Sequence, residues 1–137
     1  MKYRAVVTGA TRGIGYAIAE RLLKDGLEVI VTGTKKNGKH PAGATYYQVD
    51  FLDEDSTNKF INFLKKQQIN VLVNNAGINK ISKFSSIDID DFDRILRVNL
   101  RAPFQICQAV IPHMEKIKWG RIVNLTSVFG NISKEYR

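Results

Sequence analysis

The chain has 137 residues, with 21 Lys and Arg against 13 Asp and Glu, so its formal net charge is +8. Apolar residues make up 44% and charged residues 25%, the balance of a folded soluble domain rather than a disordered chain. This length predicts one domain spanning residues 1–137 and excludes most two-domain enzymes. No stretch approaches the roughly 18–20 apolar residues of a membrane span, and the first residues turn polar too early for a signal peptide.

Short apolar runs alternate with helical patterns along the chain. Helical spacing of apolar residues fills the intervals between the runs, except for a Gly- and Pro-containing loop at residues 33–43. Gly26 stands where the first helix is expected to end, and Ser86 or Asp88 is expected to cap a later helix. Pro103 stands near the start of a separate, final helix. This alternation predicts an α/β fold, a Rossmann-like doubly wound parallel sheet. The five predicted strands are residues 3–8, 27–32, 45–49, 69–73 and 121–125.

Candidate site residues follow four of the five predicted strands. The glycine-rich residues 9–15 follow the first strand, Asp50 the third, residues 74–77 the fourth and Ser127 the fifth. In open parallel sheets, ligands bind at the carboxyl ends of the strands, where the strand order reverses. The positions therefore indicate one ligand site at the carboxyl ends of the strands.

The turn after the first strand has the spacing Gly9-x3-Gly13-x-Gly15. Glycines let the backbone approach an anion, and the free N–H groups at a helix N-terminus face it, so the turn indicates a phosphate site. The spacing differs from G-x-G-x-x-G, and no Gly-Lys-Ser/Thr follows to make a P-loop. The alternative is a tight turn whose glycines only allow close helix packing.

The residues after the second strand bear on which dinucleotide is bound. A typical NAD site has an acid about 20 residues beyond the turn, but residues 32–36 contain two lysines and no acid. Arg12 lies in the turn itself. Basic groups suit a 2′-phosphate, so NADP is favoured over NAD. We assign Arg12 and Lys35 to the ligand and Lys36 to an exposed loop.

The single cysteine, Cys107, allows no internal disulfide and no thiolate metal cluster. His40 and His113 lack the spacing of metal ligands, so no metal is expected. Cys107 falls on an apolar helix and is assigned to the core rather than to nucleophilic chemistry. An intracellular, reducing compartment, the cytoplasm, is the expected location.

The basic residues are spread along the chain, with one short cluster at Lys35, Lys36, Lys39 and His40. No aromatic residues interleave with this cluster to stack on bases, so a solvated basic surface is favoured over a nucleic-acid partner. A small anionic ligand is the third option.

Four segments together resemble the short-chain dehydrogenase/reductase family. Residues 8–15 look like its TGxxxGxG cofactor turn, and residues 74–77 match its NNAG segment. Asn99 matches the helix asparagine of the family, and residues 120–127 resemble the strand that leads to its catalytic serine. The order and the gaps also match, and the similarity covers the whole chain.

The resemblance implies a dinucleotide cofactor that runs along all of these segments. The turn would cradle the pyrophosphate and the adenosine ribose, and further residues would approach the 2′-phosphate, the adenine and the nicotinamide-side ribose in that order. The residues implied are Gly9, Thr11, Arg12, Gly13, Ile14 and Gly15 for the turn, Thr34 and Lys35 for the 2′-phosphate, Asp50 and Phe51 for the adenine, and Asn75, Ala76 and Gly77 for the ribose.

The resemblance further implies hydride exchange between NADP(H) and a small carbonyl or alcohol substrate. Ser127 would hydrogen-bond the substrate carbonyl, and Asn99 would hold a water in a proton relay. The alternatives are a turn acid for Asp50 and a strand-ending polar residue for Ser127. The family's Tyr-x-x-x-Lys pair is missing, because Tyr136 has no lysine four positions on. We therefore expect the chain alone to be inactive.

The family's fold continues with further strands, so the sheet is expected to be incomplete, with the fifth strand as an uncovered edge. Exposed parallel edges invite association, which predicts a chain that is marginally stable, aggregation-prone or dependent on a partner. The resemblance also implies a homo-oligomer interface on the helix through Phe104 and Val110. Two alternatives to the oxidoreductase are a non-catalytic NADP-binding remnant and a basic module that binds nucleic acid.

Overall fold

The computed structural model describes residues 2–132. Five short strands form one sheet, and each strand has apolar, β-branched or aromatic residues at its centre. They are β1 (Arg4–Val7), β2 (Glu28–Gly33), β3 (Thr45–Gln48), β4 (Val71–Asn74) and β5 (Arg121–Asn124).

The strands are all parallel and stand in the order β3-β2-β1-β4-β5. The order reverses between β1 and β4, because the chain first adds strands on one side of β1 and then on the other. This is the Rossmann-like parallel sheet that the sequence predicts. The reversal places the ends of β1 and β4 side by side, the point at which ligands bind in such sheets.

Four α-helices connect the strands. Gly26 lies two residues beyond the end of the first helix with φ +87, a conformation that glycine adopts without strain, as predicted for a helix stop. The helices are α1 (Gly13–Lys24), α2 (Glu54–Leu64), α3 (Ile89–Leu96) and α4 (Ala102–Lys116).

The helices cover both faces of the sheet. On one face, α1 packs through Ala19 against Val7 and Val31. On the other face, Phe60 of α2 and Ile106 of α4 pack in the larger cluster of buried residues. Successive side chains of a strand point to opposite faces, which explains why neighbouring apolar residues in β1 belong to different clusters.

Two aspartates fix the starts of helices. Asp53 accepts hydrogen bonds from the backbone N–H groups of Asp55 and Ser56 at the start of α2. Asp88 accepts from Asp90 N–H at the start of α3. Of the two caps that the sequence allowed for α3, the structure selects Asp88, since Ser86 lies in a separate 3₁₀ turn.

The sequence predicts a break before the final helix, but the helical path from α3 to α4 is continuous. A π-helical segment, Arg97–Arg101, joins the two helices, and Ala102 N–H bonds to the Arg97 carbonyl, five residues back. Pro103 lies in the first turn of α4, where its missing N–H is tolerated. Both predicted helices are therefore present, as α3 and α4, and the π-helical junction between them is what the sequence did not predict.

β5 lies at the edge of the sheet, and its four residues are exposed. Val123 retains 49% of its accessible surface. Among residues 2–132 no strand pairs with its outer side. This agrees with the predicted uncovered edge, and the instability expected from it stays a prediction.

No helix within residues 2–132 combines the length and the apolar character that a membrane crossing requires.

Candidate functional site

An open cleft of about 560 Å³ lies at the carboxyl ends of β1 to β4. It is lined by the turn after β1 and by the residues that follow β2, β3 and β4. The structure brings all but one of the predicted cofactor residues to this cleft. They are Gly9, Thr11, Arg12, Gly13, Ile14, Gly15, Thr34, Asp50, Phe51, Asn75, Ala76 and Gly77.

Lys35 is the exception. It follows Thr34 directly but is not among the residues that line the cleft. Its backbone carbonyl accepts a hydrogen bond from the Tyr46 hydroxyl, and its side chain is exposed. The structure therefore places Lys35 on the rim of the cleft rather than inside it.

Two glycines of the turn adopt positive φ angles. Gly9 has φ +65 and Gly13 has φ +58, a region that other residues rarely adopt. A Cβ atom on Gly9 would lie 2.8 Å from the Ala76 Cα atom, so the turn packs directly on the segment after β4. A Cβ atom on Gly13 would meet nothing within 4 Å, because this glycine borders the open cleft.

Asn75 ties the turn to β4. Its side-chain Nδ2 donates to the backbone carbonyls of Thr8 and Gly9, at 2.9 and 3.0 Å. The Thr8 hydroxyl in return accepts from the N–H groups of Asn75 and Ala76, both at 3.0 Å. Thr8 is 2% exposed and was not among the predicted site residues, although it opens the matched turn segment. Thr8 and Asn75 thus fix the floor of the cleft.

The first turn of α1 has no acidic residue, and its N-cap residue Arg12 makes no side-chain capping bond. By contrast, α2 and α3 each have an aspartate cap and further acids in the first turn. The backbone N–H groups at a helix N-terminus carry a partial positive charge. At α1 this charge faces the cleft, because Gly13, Ile14 and Gly15 line it.

The predicted adenine end of the cleft contains Asp50 and Phe51. Asp50 Oδ1 accepts from Leu52 N–H at 2.9 Å, so this carboxylate also acts as the turn acid that was considered as an alternative. Phe51 is 6% exposed and packs edge-on against Phe60, with ring centroids 6.1 Å apart. The aromatic pair supports the wall of the cleft from the core side.

A second open cavity, of about 750 Å³, continues from the cleft toward β5. It shares Ile14 and residues 75–77 with the cleft, and it contains both predicted catalytic residues, Asn99 and Ser127. The structure therefore places the predicted catalytic residues next to the predicted nicotinamide side of the cofactor residues.

Asn99 lies in the π-helical segment, and both ends of its side-chain amide contact one backbone unit. Oδ1 accepts from Ile78 N–H and Nδ2 donates to the Ile78 carbonyl, each at 2.9 Å. The amide holds the segment after β4 against the helix. π-Helical segments inside α-helices occur frequently at functional sites.

Ser127 begins a 3₁₀ turn, and its Oγ accepts from Phe129 N–H at 3.2 Å. Because a hydroxyl also carries a proton, the group keeps a donor for a further partner in the cavity. Tyr136, the tyrosine nearest to Ser127 along the chain, lies outside the described residues.

Asn74 forms the buried back wall of the second cavity. Its Nδ2 donates to Asn124 Oδ1 at 2.8 Å and contacts Cys107 Sγ at 3.6 Å. Its Oδ1 has no hydrogen-bond partner among the described residues. Cys107 is half-buried here, as a core residue beside β4.

The rim of the cleft is basic and lacks paired carboxylates. Within residues 2–132, Arg12, Lys35, Lys36 and Lys39 form no ion pair. In the same part of the chain, no three His, Cys, Asp or Glu side chains come together to hold a metal ion.

The strand order of the parallel sheet reverses beside a glycine-rich turn, and an uncapped helix N-terminus faces the cleft. Together these features are typical of a dinucleotide-binding fold. The family model described as short chain dehydrogenase matches residues 3–136. The chain belongs to the short-chain dehydrogenase family.

Relatives and solved structures agree with this assignment. The chain is 38% identical over 138 residues to the 3-oxoacyl-(acyl-carrier-protein) reductase FabG of Aquifex aeolicus, covering 92% of the chain and 56% of that relative. A short-chain dehydrogenase from Streptomyces avermitilis superposes with a TM-score of 0.87 at 25% identity, covering 98% of the chain and 52% of that structure. A metagenomic short-chain oxidoreductase in complex with NADP superposes with a TM-score of 0.84 at 29% identity, covering 98% of the chain and 66% of that structure. The chain thus spans little more than half the length of the curated relative.

Proposed function

We propose that the chain binds NADP(H) in the cleft as the cofactor-binding part of an oxidoreductase. The observation that carries the proposal is the first turn of α1, which has neither a side-chain cap nor an acid and lines the cleft. A diphosphate would accept hydrogen bonds from the N–H groups of Gly13, Ile14 and Gly15. The open space beside Gly13 leaves room for it.

A preference for NADP over NAD follows from the charges at the rim. Arg12 borders the cleft beside Thr34, and no residue of the 34–39 segment is acidic. A carboxylate at this rim would suit the free 2′-hydroxyl of NAD, whereas unpaired cations suit a 2′-phosphate. The metagenomic relative that was solved in complex with NADP supports the same choice.

The second cavity is the proposed place of the substrate, a small carbonyl or alcohol. When bound, the nicotinamide supplies or accepts the hydride. The Ser127 hydroxyl would donate a hydrogen bond to the substrate oxygen from its position in that cavity. The Asn99 amide keeps one N–H and one oxygen lone pair beyond its two bonds to Ile78, and with these it would hold a water of the proposed relay.

Proton transfer to the substrate oxygen needs an acid whose pKa is brought toward neutrality, since an unperturbed tyrosine titrates near pH 10. The 137 residues contain no tyrosine followed four positions later by lysine. We therefore expect this chain alone to bind NADPH without reducing a carbonyl, the behaviour of the non-catalytic alternative.

Calorimetric titration of the chain with NADPH and NADH tests the proposal. We expect measurable heat with NADPH and weaker binding of NADH. Arg12→Ala should reduce NADPH affinity by about tenfold and leave NADH affinity within about twofold, because the guanidinium is assigned to the 2′-phosphate. Lys36→Ala serves as the control, since it removes a nearby cation that we assign to solvent.

An absence of NADPH binding by a folded sample would overturn the proposal. Salt-sensitive binding to DNA or RNA, unaffected by NADPH, would instead support the basic nucleic-acid module.

We further propose that a second copy of the chain binds to an exposed apolar face of the helical path from α3 to α4. Leu96, Leu100 and Phe104 are spaced four residues apart along the helical path. Leu100 and Phe104 keep 64% and 62% of their surface exposed, and both also line the second cavity, so the stripe borders the proposed substrate site. Side chains four apart lie on one face of a helix, so the three form an apolar stripe. Two such stripes would bury each other.

A further inference from the structure

The loop between β2 and β3 wraps around one side chain of β3, that of Tyr46. The Tyr46 hydroxyl donates to the Lys35 carbonyl, and the His40 ring stacks on the Tyr46 ring with centroids 5.3 Å apart. Gly38 packs so closely on the hydroxyl and the ring that a Cβ atom there would collide with both. Three points of the loop are therefore held by this tyrosine.

Tyr46 also reaches the floor of the cleft through Gly33. A Cβ atom on Gly33 would lie 2.8 Å from the Tyr46 hydroxyl oxygen on one side and would collide with the Thr11 methyl group on the other. Thr11 belongs to the phosphate turn, and Gly33 and Thr34 line the cleft. A continuous set of contacts thus runs from the turn through Gly33 and Tyr46 to the loop.

The loop that Tyr46 holds carries the unpaired cations. These are Lys35, Lys36 and Lys39, none of which forms an ion pair within residues 2–132, and the Lys39 Nζ atom stands 5.7 Å from the centre of the Tyr16 ring. Tyr16 follows Gly15 in the first turn of α1, so the Lys39 contact brings the loop against the helix N-terminus. The loop therefore places its lysines on the same side of the cleft as Arg12.

The Tyr46 hydroxyl remains a donor under ordinary conditions, because burial raises its pKa above the usual value of tyrosine. Loss of that proton would leave an oxygen anion facing the Lys35 carbonyl. The tether therefore operates at neutral pH and needs no titration.

We infer that Tyr46 is a positioning residue that sets the preference for a 2′-phosphate by holding the cationic loop at the cleft. The inference rests on the proposed function, because it needs a phosphate-bearing dinucleotide in the cleft. Tyr46 is not among the residues that line the cleft. It acts through Lys35 and Lys39, whose positions its hydroxyl and ring contacts determine.

Tyr46→Phe tests the inference, because it removes the hydroxyl and keeps the ring. Calorimetry should measure the dissociation constants of NADP⁺, NAD⁺, 2′,5′-ADP and 5′-AMP for the parent chain and the variant. We expect the values for NADP⁺ and 2′,5′-ADP to rise about fivefold, the usual effect of one lost hydrogen bond. The values for NAD⁺ and 5′-AMP should stay within about twofold, since neither carries a 2′-phosphate.

Tyr47→Phe is the matched control. It makes the same chemical change one residue along the same strand, but Tyr47 packs on the opposite face against Phe60 and Phe63. It should alter none of the four constants. Gly38→Ala gives a second test in which Tyr46 is intact, because the added methyl group pushes the loop off the hydroxyl. It should weaken NADP⁺ selectively as well.

Equal weakening of NADP⁺ and NAD⁺ in both variants would overturn the inference and leave Tyr46 a merely structural residue. Unchanged NADP⁺ affinity in both would overturn it too. A parent chain that binds NAD⁺ as tightly as NADP⁺ would instead refute the proposed NADP preference, on which the inference rests. The parent chain and the variants thus report on the two proposals separately.

Discussion

At the scale of single residues, the shape of the cleft depends on glycines, which have no side chain. Gly9 and Gly15 let the turn approach the segment after β4, and any larger residue would meet Ala76 or Asn75. The Asn75 side chain could move away only by breaking hydrogen bonds, because its amide donates to the Thr8 and Gly9 carbonyls. The turn and this segment therefore form one rigid unit.

Gly15→Ala should destabilise the chain and abolish NADPH binding. The added methyl group would overlap the Asn75 amide and lie 2.8 Å from the Gly9 carbonyl oxygen. Overpacking of this kind typically lowers the free energy of unfolding by about 1–3 kcal/mol. Urea denaturation and calorimetric titration with NADPH measure the two effects.

Gly26→Ala provides the control for a general loss of stability. This glycine, at the far end of α1, has a positive φ angle and open space around it, so alanine there adds strain without a collision. It should cost about 1–2 kcal/mol and leave NADPH binding intact. If Gly26→Ala removed binding as fully as Gly15→Ala, the effect of the latter would be one of stability alone.

At the scale of elements, the position of the second cavity depends on how the helix between β4 and β5 is built. The π-helical segment brings Asn99 onto the side of the helix that faces Ile78, and the two amide hydrogen bonds join the helix to the loop after β4. The same helix carries the exposed apolar stripe. One element therefore shapes the site and offers a surface for association.

Asn99→Ala should loosen this junction. Loss of two hydrogen bonds to the Ile78 backbone predicts a decrease of about 1–2 kcal/mol in the free energy of unfolding, measured by urea denaturation. Gln108→Ala, an exposed change on the same helix, should have little effect. Equal stability of the Asn99→Ala variant and the parent chain would contradict the tethering role.

At the scale of the whole molecule, apolar surface remains uncovered on two sides. One is the edge strand β5, and the other is the stripe formed by Leu96, Leu100 and Phe104. Within residues 2–132, no other part of the chain covers either surface. Self-association is the simplest way to cover the stripe.

Phe104→Glu should shift the chain from a self-associated form to the monomer. The carboxylate would lose its hydration when the stripe is covered by a second copy, which opposes association strongly. Sedimentation velocity over a range of concentrations measures the change. Ala17→Glu adds the same charge to an exposed position of α1 and should leave association unchanged. A parent chain that is monomeric at every concentration would refute the second-copy proposal.

The sequence alone determined the sheet, its parallel strands and the grouping of the predicted ligand residues at their carboxyl ends. Alternation of short apolar runs with helical spacing is a local property, and the glycine turn is recognisable from spacing alone. The π-helical junction at Arg97–Arg101 was not predicted, because Pro103 near the start of α4 indicates the beginning of a separate helix.

Only the tertiary structure decided which polar side chains are hydrogen-bonded within the protein and which remain available to a ligand. Asn75 and Asn99 read as ligand or catalytic residues, yet their amides bond to backbone atoms that are distant in sequence. Tyr46 and Thr8 were not among the predicted site residues, because their contacts join different segments of the chain. Such contacts arise when strands and loops pack side by side, and no spacing along the chain encodes them.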